Sequence, residues 1–143
     1  MRVLAMLVGV AVGLAGFAFA YIIIVFTMFA FQNTSPGYMA KTLPILLIIT
    51  PLLGTIGGIF TYFRPLTGKA LMIGSGIGWI AINAVLMYLL WHHPTKPAPG
   101  ATEALPIAGF VSIPALASFL ASWLASLAAR KNASRANGPT RAV

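Results

Sequence analysis

Four long apolar runs, none containing an acidic or basic residue, alternate with short polar stretches along the 143-residue chain. They extend from about Val3 to Phe31, Leu43 to Phe63, Ala70 to Trp91 and Leu105 to Ala129. A helix needs about 20 mostly apolar residues to cross ~30 Å of hydrocarbon, and each run meets that length. The stretches between them, Gln32–Thr42, Arg64–Lys69 and His92–Ala104, are polar and rich in turn residues. Short connections make consecutive helices antiparallel neighbours. The pattern therefore predicts an all-α, integral membrane four-helix transmembrane bundle. Residues 1–129 form a single transmembrane domain and residues 130–143 a basic cytoplasmic tail.

Composition strengthens this reading. Hydrophobic residues make up 59% of the chain and charged residues 7%, against roughly 25% charged residues in an ordinary soluble domain. Met1-Arg2 and Ala18-Phe19-Ala20 have the look of a signal peptide with its cleavage site. The apolar run continues through Tyr21–Phe31, however, well beyond the ~7–15 residues of a signal peptide's apolar region, and the segment reads as a span.

Nine basic residues face one acid, Glu103. The bases flank the apolar runs and form no stripe suited to nucleic acid, so the expected partners are membrane lipids and other integral membrane proteins. Arg2, Arg64, Lys69, Arg130, Lys131, Arg135 and Arg141 fall on one side of the membrane, Lys41 and Lys96 on the other. The richer side is cytoplasmic by the positive-inside rule, which puts both termini inside, in a membrane of the bacterial cytoplasmic (inner) type. The sequon-like Asn33-Thr34-Ser35 then faces outward and reads as loop polarity.

The chain also admits an internal duplication. Pro36-Gly37 and Pro99-Gly100 each precede a Leu-Pro-Ile triplet, at Leu43 and Leu105. Gly13 and Gly76 each lie 24 residues before the Pro-Gly glycine, and Pro51 and Pro114 sit at similar depths. Two parallel hairpin repeats account for these spacings, as do loop punctuation and helix-start prolines that recur in any polytopic protein.

Lipid tails are as apolar as Leu, so association within the bilayer rests on close packing of small residues. Gly9 and Gly13, Gly54 and Gly58, and Gly74 and Gly78 are spaced by four, as are Ala117, Ala121, Ala125 and Ala129, with Ser118, Ser122 and Ser126 alongside. Such stripes serve internal helix packing, and that of the fourth helix is expected to contact another chain as well. Pro51 and Pro114 each remove an intrahelical hydrogen bond. Thr50 and Ser112 are placed to satisfy the freed carbonyls. Asn83, the most polar side chain near mid-membrane, is expected to bridge helices.

Candidate chemistry is sparse. Without Cys there are no thiolate metal sites or cysteine nucleophiles. No ionisable residue lies within a span, which argues against proton-coupled transport. His92 and His93 adjoin Trp91 at the outer end of the third helix, and Glu103 across a loop supplies a third weak candidate metal ligand. Adjacent helical residues diverge by about 100°, so the two histidines suit a polar interfacial cap beside Tyr88 and Trp91 better than one shared ion. No catalytic residues, cofactor or metal are expected. The expected function is a small non-catalytic subunit that packs into, braces or anchors a larger membrane complex. The alternatives are a homo-oligomeric channel or carrier for a neutral or apolar solute, lined by Thr50, Thr55, Ser75 and Asn83, and accessory helices that help form another subunit's lipid, quinone or pigment site.

Overall fold

In the computed structural model, residues 1–31, 38–93 and 96–136 are described. They form four helices: α1 (Arg2–Ala30), α2 (Tyr38–Phe63), α3 (Pro65–Trp91) and α4 (Ala101–Ala136). All four are long and apolar enough to span a membrane. Each packs on the next, α4 closes back on α1, and α2 meets α4 only glancingly across the diagonal. The fold is an all-helical four-helix bundle of the integral membrane type.

The helices exceed the apolar runs. The stretch 64–69, expected as a loop, is helical from Pro65 onward, which leaves Arg64 alone between α2 and α3. Proline is preorganised for the first helical position, where its missing N–H costs nothing, and the Gly68 amide donates to the Arg64 carbonyl at 3.0 Å. Pro44 and Pro106, read as helix starts, lie inside α2 and α4. Gly100 instead opens α4, its carbonyl accepting the Glu103 and Ala104 amides at 3.1 and 2.9 Å. The cytoplasmic tail expected from residue 130 begins as helix, since α4 continues to Ala136. At 1.5 Å per residue its 36 residues are about 54 Å long, well beyond the ~30 Å of hydrocarbon. Hydropathy senses only the apolar part of a helix, so its polar ends escape such a reading. Asn33-Thr34-Ser35, Pro36-Gly37 and Arg141 lie outside the described residues.

The core runs through the bundle as Leu43 and Leu47 of α2, Trp79, Ile82 and Leu86 of α3, and Val111 and Ala115 of α4, with Ala20 and Ile23 of α1. Trp79 is the largest fully buried side chain. Its ring fits because residue 16 is glycine: a Cβ there would stand 3.2 Å from Trp79 Cζ2.

Candidate functional site

Backbones approach most closely where α1 crosses α2. A Cβ on Gly9 would lie 2.7 Å from Gly58 Cα, one on Gly58 2.6 Å from the Gly9 carbonyl carbon, and one on Gly13 2.6 Å from Thr55 Cα. Gly54 faces both Gly13 and the Ser75 side chain. Glycine is required at Gly9, Gly13 and Gly58 because backbone, which cannot rotate away, fills the space a methyl would take. The α2–α3 seam rests on Gly68 against Thr61, Gly57 against Leu71 and Met72, and Gly78 against the Thr50 side chain.

Gly74, paired by spacing with Gly78, departs from expectation, since its nearest contact is Leu53 Cδ1 at 4.0 Å. Residues four apart are offset by about 40° around a helix. Gly74 lies at the edge of the seam that Gly78 occupies. Between α3 and α4, Gly76 lies against the Phe119 ring, 2.9 Å from Cζ to its would-be Cβ. Spacing by four missed Gly16, Gly57, Gly68 and Gly76, although the three-residue steps Gly13-Gly16 and Gly54-Gly57 were visible.

Polar groups inside the bundle are turned on one another. Thr50 and Ser75 are each 1% exposed. The Ser75 hydroxyl donates to the Thr50 carbonyl at 2.9 Å and stands 3.5 Å from Ser118 Oγ. Ser118 in turn donates to the Pro114 carbonyl at 2.8 Å, and Thr55 to the Pro51 carbonyl at 3.0 Å. Both prolines thus receive a hydroxyl from four residues later. The assignment to Ser112 and Thr50 needs correction. Ser112 donates to the Ala108 carbonyl at 2.7 Å, whereas an α-helical proline at 114 frees the carbonyl four residues before it, that of Phe110. Thr50 serves as a backbone acceptor.

Asn83 Nδ2 donates to the Ala108 carbonyl at 3.1 Å and to Ser112 Oγ at 3.0 Å, tying α3 to α4. Its Oδ1 is buried without a partner among the described residues. Ser122 and Ser126 bond back to their own helix, to the carbonyls of Phe119 and Ser122.

The fourth-helix stripe is absorbed by the chain itself. Ala121 and Ala125 are 0% exposed and Ser118 1%, all inside the bundle, while Ala117 and Ala129 sit half-buried at its margin. As placed, this strip is not available to a second chain, contrary to the expected partner contact. What α4 turns outward is bulky: Ile113, Leu116, Leu120 and Trp123 are exposed at steps of three, four and three.

At the end of the bundle opposite Met1 and the end of α4, the two histidines part company. His92 is exposed, stacks on Tyr88 (ring centroids 4.2 Å apart) and has Nδ1 3.0 Å from the Tyr88 carbonyl. His93 turns inward, with Nε2 2.9 Å from the Ala30 carbonyl and its ring tilted against Phe31. A carbonyl only accepts, so Nε2 carries the proton in that bond. His93 and Glu103 line a common cavity of about 370 Å³ together with Lys96 and Phe26, and His92 does not. Among the described residues, no three His, Cys, Asp or Glu side chains are grouped to hold a metal ion. Two further cavities, of about 230 and 340 Å³, continue along the α1–α4 side. None of these three is lined by Thr50, Thr55, Ser75 or Asn83.

Comparison with protein-family models, with curated proteins and with solved structures finds no match to this chain.

Proposed function

We propose that this protein is a small non-catalytic subunit of a larger membrane assembly, held through the outer face of α4 and oriented with both termini in the cytoplasm. The observation that carries this reading is the division of labour on α4. Its small residues are consumed by the chain's own bundle, and its outward face presents Ile113, Leu116, Leu120 and Trp123. Steps of three and four on one helix match the spacing by which bulky side chains interlock between helices. The chemistry agrees. The apolar runs hold no Asp, Glu, Lys, Arg or His, and the Thr55, Ser75 and Ser118 hydroxyls are spent on neighbouring carbonyls. That leaves the packing surface as the working part. Orientation is supported by Arg2, Arg64, Lys69, Arg130 and Lys131, which flank helix ends on one side of the bundle.

The test is extraction in mild detergent, with native mass and mass-spectrometric identification of whatever stays bound. A Leu116→Ala, Leu120→Ala variant should lose a stoichiometric partner while reaching the membrane and keeping its thermal stability, because both positions are exposed in the isolated chain. Extraction of the wild-type chain free of other proteins, or a partner indifferent to the variant, would sink the proposal.

A further inference from the structure

The contact between α1 and α4 is the least extensive of the four neighbouring pairs, and the three cavities open along it. The outer and middle cavities share Phe26 and Ile107 and lie side by side along one groove between the helices. Phe19 and Phe110, with ring centroids 4.9 Å apart, separate the middle cavity from the inner one. The groove thus has a floor. From Glu103 to Val111 on α4 it covers eight residue steps, about 12 Å of helix.

Its two ends differ chemically. The deep part is walled by Ile22, Ile23, Leu86, Ile107 and Val111 among other apolar side chains. The mouth adds His93, Lys96 and Glu103. His93 is held against α1 by its bond to the Ala30 carbonyl and acts as wall. Lys96 and Glu103 are exposed, and among the described residues neither makes an ion pair. An ammonium and a carboxylate therefore border the opening of an apolar slot, at the end of the bundle where lipid headgroups lie.

We propose that this groove holds one acyl chain of a bilayer phospholipid with a zwitterionic primary-amine headgroup, its phosphate at Lys96 and its ammonium at Glu103. The site goes beyond the subunit reading and stands whether or not a partner binds the outer face of α4. Charge complementarity selects the headgroup. A phosphate answers Lys96, and a primary ammonium donates hydrogen bonds to the Glu103 carboxylate as well as opposing its charge. A quaternary ammonium has no N–H to donate. An anionic headgroup without an amine satisfies Lys96 and leaves Glu103 facing no cation. A partner helix is the poorer fit, being about 10–12 Å across with its side chains against a middle cavity of about 230 Å³.

Native mass spectrometry of the full chain tests this, by titration with phosphatidylethanolamine, phosphatidylcholine and phosphatidylglycerol of identical acyl chains. The wild type should retain one phosphatidylethanolamine with about five-fold preference over the other two. Glu103→Gln should bring that preference close to one. Lys96→Gln should weaken retention of all three lipids. Both positions are exposed, so the fold survives these changes. Ile107→Trp, which fills the groove, should displace the lipid, with helicity by circular dichroism confirming that the variant is folded. Equal retention of the three lipids by the wild type would overturn the proposal. So would an undiminished preference in Glu103→Gln, or a photocrosslinker at Ile107 that captures a protein segment instead of lipid.

Discussion

Gly13 and Gly74 are the same residue in long apolar helices, yet a methyl group added to each has opposite consequences. At Gly13 it meets the Thr55 backbone, and at Gly74 it meets only Leu53 Cδ1 at ordinary contact distance. Gly13→Ala should force α1 away from α2 and cost about 1–3 kcal/mol, the usual range for overpacking a tight interior. Gly74→Ala should be neutral or stabilising by up to about 1 kcal/mol, since alanine is the better helix former. Thermal unfolding in a single detergent compares the two, and equal melting temperatures would contradict the close α1–α2 crossing. Residue identity revealed that small side chains were plentiful. It did not reveal which glycines touch backbone, because that depends on a neighbour about 45 residues distant in the chain.

At the scale of an element, α4 shows what spacing can and cannot report. Alanines and serines at steps of four do form a continuous strip, with Ser118, Ala121, Ser122 and Ala125 all buried. Periodicity fixes which residues share a face, and says nothing of what that face meets. In this fold it meets the chain's own helices, α3 at its centre, where Ser75 and Gly76 lie against Ser118 and Phe119. Ala121→Leu should therefore lower abundance and thermal stability, by about 1–3 kcal/mol from overpacking. The adjacent change Leu120→Ala, on the exposed face, should stay within about 0.5 kcal/mol. Intact stability in Ala121→Leu, measured by thermal unfolding of the purified protein, would mean that the strip faces away from the bundle.

For the whole molecule, four antiparallel crossings put Met1 and the end of α4 on one side, together with Arg2, Arg64, Lys69, Arg130 and Lys131. Lys41, Lys96 and the acid Glu103 sit at the other end. With the base-rich side in the cytoplasm, a cysteine at Thr102 should label with an impermeant reagent in intact cells. One at Ser134 should label only after the membrane is opened. The reverse pattern would invert the orientation and place the Lys96–Glu103 mouth in the inner leaflet. It would leave the bundle itself untouched, since helix packing is indifferent to which face is cytoplasmic.

The number of helices, and that each is long and apolar enough to span a membrane, were readable from the chain alone. Hydrocarbon thickness sets a length and composition criterion that each segment meets independently of its neighbours. The ends of α3 and α4 were less legible, because Pro65–Lys69 and Arg130–Ala136 are polar helix that hydropathy cannot separate from loop. Tertiary structure alone decided that Asn83 reaches Ala108 and Ser112, that His93 turns inward while His92 turns out, and that Glu103 and Lys96 border one mouth. It alone left α1 and α4 loosely joined. Each of these is a relation between segments tens of residues apart, set by how four backbones pack once glycines let some pairs approach more closely than others.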